Sequence, residues 1–185
     1  MNIDAILSEK KDEITKRWIQ VVLATYESPA FLGLQKDRFA NPIGYTVTDG
    51  LGRLLTVLLS GDDLAAAANP LEEIIKIRAV QDFAPSMALS FVFDLKRVVR
   101  EVLTRAKVDS AVLAGMADFD ARVDALMLMA FDLYMASRER LFQVRINELK
   151  NGNYILTDKS HCPSAMLRKK LNESAEHHDN LHSST

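Results

Sequence analysis

Apolar residues recur at steps of three and four along most of the chain, and no segment alternates with period two for long. That pattern predicts helices and no sheet. A first helix over 3–26 places Ile3, Leu7, Ile14, Trp18, Val21 and Tyr26 on or near one side, and a second over 42–60 does the same with Ile43, Val47, Leu51, Leu54, Leu55 and Leu58. A short helix over 70–80 turns through Phe83-Ala84-Pro85-Ser86 into another over 85–106, built on Phe91, Val92, Leu95, Val98, Val99, Val102 and Leu103. The longest, about 110–150, comes last. Ser28-Pro29, Asn41-Pro42, Gly61-Asp62-Asp63, Asn69-Pro70, Ala84-Pro85, Val108-Asp109 and Asn151-Gly152 mark the breaks. Proline suits a first helical turn because its missing N–H has no partner there, and Asn41 and Asn69 are placed to act as N-caps. Gly44, Gly50 and Gly52 each cost about 1 kcal/mol inside a helix, so close helix packing is expected to compensate. The fold class is all-α, a compact bundle of five or six helices.

The last helix has two apolar sides. Met116, Phe119, Val123, Met127, Ala130, Tyr134, Ser137 and Leu141 share one and suit the core. Nearly opposite lie Ala121, Leu128, Phe131, Met135, Phe142, Ile146 and Leu149, with a recurring step of seven. Either this helix runs through the bundle and is covered on both sides, or the outer stripe is a surface for self-association. Phe142, Ile146 and Leu149 are expected to extend past the bundle, which favours dimerisation there.

Composition narrows the classes. Of 185 residues 48% are apolar, enough for one domain with a core and too few for two large ones. Twenty-three Lys and Arg stand against 25 Asp and Glu, a net charge of −2 that gives no electrostatic reason to expect nucleic acid or an anionic membrane. Ala125 to Ala136, the most apolar stretch, contains Asp132 and falls short of the roughly 20 residues a membrane span requires. Cys162 is the single cysteine and the start carries no signal-peptide pattern, so a cytoplasmic protein without disulfides is expected. Only 10 of the 35 residues in 151–185 are apolar, so a body over 1–150 is expected to carry a polar, flexible tail.

Catalytic signatures are missing. Gly50-Leu51-Gly52 lacks the remainder of a phosphate loop, there is no Gly-x-Ser-x-Gly elbow, and no histidine precedes His161, so a Ser-His or Cys-His pair would need its base from the tail. Asp118, Asp120 and Asp124, with Arg122 among them, read as a solvated face rather than a carboxylate site. The tail holds His161, Cys162, His177, His178 and His182, residue types that bind zinc or redox metals, but without the paired spacing of a structural zinc site. Met166, Leu167 and Leu171 with Arg168, Lys169 and Lys170 form a short amphipathic stretch that can dock on a partner or on the body.

The run Ile77-Arg78-Ala79-Val80-Gln81-Asp82-Phe83-Ala84-Pro85-Ser86-Met87-Ala88, with Phe91-Val92-Phe93-Asp94-Leu95-Lys96 after it, resembles the amino-terminal domain of the RsbR-type (RsbRD) regulators of bacterial stressosomes. Asn41-Pro42-Ile43-Gly44 is similar to that family's Asn-Pro-Val-Gly helix start, and Arg145-Ile146-Asn147-Glu148 to its closing segment. The resemblance covers about residues 3–150. It implies a globin-like fold that holds no haem, dimerises, and passes a signal through its long last helix. A His-ligated haem needs an imidazole in the pocket, and residues 1–160 contain none. RsbR-type regulators usually continue into a STAS domain, which about 35 polar residues cannot form, so a stand-alone version is expected.

Pro85 opening a helix, Ser86 satisfying a first-turn N–H, Phe83 stapling the corner and Arg78 paired with Asp82 would maintain the fold. Arg78, Gln81 and Asp82 are also candidates for a ligand or partner site. The functional expectation is a non-catalytic, haem-free signalling dimer with no cofactor, acting on an unknown protein partner. The alternative is a small-ligand or metal-binding protein, using a core pocket or the His161/Cys162 tail, as an accessory to a redox complex.

Overall fold

The computed structural model describes residues 3–26, 39–81, 83–109, 112 and 115–150. Among these every regular element is helical: α1 (Ile3–Glu9), α2 (Lys11–Leu23), α3 (Pro42–Ser60), a 3₁₀ turn (Leu64–Ala67), α4 (Ala68–Val80), α5 (Pro85–Arg105) and α6 (Met116–Lys150). The all-α, globin-like bundle with a long final helix is therefore the architecture. The chain divides between Arg138 and Glu139 into two compact units.

The single helix expected over 3–26 is two. Lys10 takes φ −90° and ψ 4°, outside helical values, and bends the chain between α1 and α2. The hydrogen bonds Lys10 N–H to Ile6 O and Ile14 N–H to Lys10 O survive the bend at 2.9 Å, so no cap or proline is needed and the sequence carries no mark of it. The helix also stops early: after Leu23, Thr25 and Tyr26 donate to Val22 and Leu23 three residues back, a tightening that ends α2. Val22, rather than Val21, is fully buried.

Asn41 caps α3 as expected, its Oδ1 accepting from Gly44 N at 2.9 Å. Gly61 closes that helix at φ 74°, the left-handed region where a Cβ is strained. Asn69 is not a cap. Asp63 Oδ1 accepts from Ala65 N, opens the 3₁₀ turn, and the chain enters α4 already helical, leaving Asn69 and Pro70 inside its first turn.

In the first unit the core gathers every helix. Trp18 on α2 is fully buried, stacks on Phe91 of α5 with ring centroids 6.4 Å apart, and donates from Nε1 to Phe91 O at 2.7 Å. The compensation expected for helix glycines exists at Gly50, where a Cβ would come within 2.9 Å of Ile74 Cδ1 and 3.3 Å of Pro70 O, so α3 and α4 touch backbone to side chain. At Gly52 the nearest such atom is Thr15 Cγ2 at 3.9 Å, and the glycine is not demanded by packing. Ile3, Leu7, Leu51, Leu55, Leu95 and Val99 fill the interior between these contacts.

Candidate functional site

The corner between α4 and α5 carries the sequence motif, and Arg78 organises it. This residue stands in the last turn of α4 and is completely buried. Its guanidinium donates from Nε to Ala88 O at 2.7 Å, from Nη2 to Met87 O at 2.8 Å and from Nη1 to Thr25 Oγ1 at 3.2 Å. Three rings surround the same group, with Cζ 4.7 Å from the centroid of Phe83, 5.3 Å from Tyr26 and 5.5 Å from Phe91. A planar cation with forked donors suits such a place, because carbonyl oxygens and ring faces offset part of the cost of removing it from water. The end of α2, the end of α4 and the start of α5 are thereby tied to one side chain.

Tyr26 meets Phe83 edge to face at 5.7 Å, and its buried hydroxyl has no hydrogen-bond partner of good geometry among the described residues. Burial pushes the phenol pKa above its ordinary value of 10.0, while the neighbouring Arg78 cation pulls the other way and loses.

The remaining motif residues divide. Phe83 does staple the corner. Pro85 opens α5 as its first residue, but the N-cap is Ala84, which makes no side-chain bond, and Ser86 is exposed; the cap expected from Ser86 is not formed. A small N-cap alanine suffices because proline removes one of the first-turn donors. Gln81 is half-buried at the C-cap of α4. Asp82, and with it the expected Arg78–Asp82 pair, lies outside the described residues.

The last helix is held to the body by arginines that sequence reading placed elsewhere or did not single out. Arg122, expected on a solvated face, reaches with Nη2 to Val57 O and Asp62 O, both at 2.9 Å, and closes the end of α3. Its neighbours are not merely solvated either: Asp124 pairs with Lys96 at 2.6 Å and Asp120 with Arg100, so α6 runs antiparallel to α5 along this stretch. Arg138 donates from Nη1 to Ala79 O at 3.1 Å. That carbonyl is one of the last four of α4, which have no donor within the helix. Partners of this kind are backbone atoms far away in sequence, so no residue-type pattern announces them.

The inner side of α6 buries Met116, Phe119, Val123, Ala130, Tyr134 and Ser137 as expected, Leu126 in addition, while Met127 is only half-buried. The outer side is exposed: Leu128 to 70%, Phe131 to 51% and Met135 to 50%, with Ala121 also open to water. Phe93, one turn before Lys96, and Leu128, one turn after Asp124, lie toward the same end of that ion pair, and Phe93 is exposed too. In the second unit Phe142, Ile146 and Leu149 are exposed and Leu141 is half-buried.

No group of three or more His, Cys, Asp or Glu that could hold a metal occurs among the described residues. His161, Cys162, His177, His178 and His182 lie outside them. No described helix is long and apolar enough to cross a membrane.

Residues 12–149 match the RsbT co-antagonist protein rsbRD N-terminal domain. The chain belongs to this family. It is a family of regulatory sensor domains of the stressosome type, so the resemblance read from the Ile77 to Ala88 run, the Phe91 to Lys96 segment after it, the Asn41 helix start and the Arg145 to Glu148 segment is borne out. No curated protein and no solved structure matches the chain.

Proposed function

We propose that the chain is a non-catalytic, cytoplasmic signalling module without a cofactor, a dimer joined through the outer side of α6 that relays a signal to a protein partner. One observation carries this reading: Leu128, Phe131 and Met135 are half or more exposed on a helix whose opposite side is built into the core. Contiguous exposed apolar surface is uncommon on monomers and marks interfaces. The sequence step of seven through Ala121, Leu128, Met135, Phe142 and Leu149 is the spacing that a second helix follows in a left-handed supercoil, and an identical helix brings the same spacing. Membership of a regulatory family supports the role.

Light scattering on the wild type and on Leu128→Glu/Met135→Glu tests it, with an absorbance spectrum and metal analysis on the same samples. The expected result is a colourless, metal-free dimer that the double substitution converts to a folded monomer. A monomeric wild type overturns the dimer. A stoichiometric metal or chromophore overturns the cofactor-free reading and transfers the function to the tail or a core pocket.

A further inference from the structure

We propose that the last turn of α4 is a mechanical coupler which transmits changes at the Arg78 corner to the last helix through the Ala79 carbonyl. Two successive residues of that turn face different partners. The Arg78 side chain is fixed at three points, to Thr25 at the end of α2 and to Met87 and Ala88 in the first turn of α5. Ala79, the next residue, presents its carbonyl to Arg138 of α6 at 3.1 Å. Arg78 and Ala79 are consecutive residues of one helical turn, so a displacement of the Arg78 backbone carries the neighbouring Ala79 carbonyl with it. The bond to Arg138 has little slack: a shift of about half an ångström takes it beyond hydrogen-bond range.

The contact is also one that α6 would miss. Ala79 is buried and Arg138 half-buried, and the guanidinium brings positive charge to the negative end of the α4 dipole. Arg138 stands one turn after Met135 and two turns after Phe131, so the anchored end of this stretch carries the exposed apolar residues. An event that loosens the corner, such as a partner or ligand engaging Gln81 or Phe83, moves the Ala79 carbonyl away from Arg138 and weakens the hold of α4 on that stretch of α6. The two elements have a shared structural part whose state each can bias, which is the physical requirement for coupling between sites.

The inference rests on reading α6 as the output element, and mass measurements test that reading separately. The coupling itself is tested by a double-mutant cycle on amide hydrogen exchange in peptides covering 128–138. Thr25→Val removes one acceptor of the Arg78 fork, and Phe83→Leu, run alongside, removes one ring of its cage at a small cost in stability in case the first change is absorbed. Each is made with Arg138 present and in an Arg138→Gln background. The expected result is that a corner substitution raises exchange over 128–138 about fivefold, the lower end of measured couplings, when Arg138 is present and has no further effect when it is glutamine. The same rise in both backgrounds, or no rise while the corner peptides over 83–90 exchange faster, overturns the proposal. Light scattering on the six proteins, the two backgrounds and the two corner variants in each, shows whether any failure lies with the dimer or with the coupling.

Discussion

Replacing Arg78 by lysine is expected to destabilise the protein more than replacing it by methionine, although lysine keeps the charge. The guanidinium makes three hydrogen bonds with neutral acceptors, and bonds of this kind to a charged group contribute about 1.5–3 kcal/mol each before the cost of burying the charge is set against them. That cost is several kcal/mol per ion. Methionine removes both sides of the balance, since the carbonyls of Met87 and Ala88 keep their own α5 donors and Thr25 Oγ1 keeps its bond to Val22 O at 2.7 Å. What remains is a gap facing three rings, worth about 2–3 kcal/mol by analogy with large-to-small core changes. Lysine retains the burial cost but cannot span acceptors on two elements, so the loss rises to about 3–5 kcal/mol, the range for a buried charge deprived of partners. At roughly 2–4 °C per kcal/mol for a chain of this size, the lysine variant should melt some 6–20 °C below wild type. Trp18, the only tryptophan, reports the transition because its ring stacks on Phe91, one of the three rings around the guanidinium. Urea titration followed by its fluorescence gives the two free energies directly. A lysine variant as stable as the methionine one, or within about 0.5 kcal/mol of wild type, the scatter expected of neutral surface changes, would refute the claim that the fork and not the charge holds the corner.

Two of the three glycines of α3 should respond with opposite signs. Gly50→Ala, pressed against Ile74 and the Pro70 carbonyl, should lose about 1 kcal/mol to overpacking, whereas Gly52→Ala has room and should gain about 0.5–1 kcal/mol from helix propensity, both read from urea midpoints. Lys107 sits at φ 52° after α5, where Val108 N–H returns to Leu103 O and Lys107 N–H to Thr104 O; Lys107→Gly should raise stability by about 1 kcal/mol in a thermal melt, and a loss would contradict the assigned strain. Tyr26 holds its proton more tightly folded than unfolded, so its contribution is intact below pH 10, the unfolded value, and is lost as pH rises through the higher folded value. Stability of the wild type should therefore fall above pH 10 more steeply than that of Tyr26→Phe, and parallel curves would count against the burial effect.

The helices and their inner faces were legible because burial imposes a period that the sequence must repeat, as the inner side of α6 from Met116 to Ser137 shows. Asn41 was legible for another reason: an N-cap acts on the residue three places ahead, so cause and effect are adjacent. Asn69 carried the same signature and failed because Asp63 had already started the helical path, an outcome decided by backbone direction rather than residue type. The corner motif pointed to Arg78, but not to the cage of Tyr26, Phe83 and Phe91 around it. Arg122 and Arg138 were beyond reach, since their partners are peptide carbonyls 65 and 59 residues away and every residue offers the same acceptor.

The stacking of Trp18 on Phe91 spans 73 positions, whereas the tight contact of Gly50 with Ile74 joins helices separated only by a short 3₁₀ turn. Loop closure makes the second contact much the easier to form first. During synthesis α3 and α4 can pair while α2, already made, still lacks the helix that covers its tryptophan. α2 can meet α3 early, but the face that carries Trp18 stays open to water until α5 leaves the ribosome, a surface in need of protection as the chain is born.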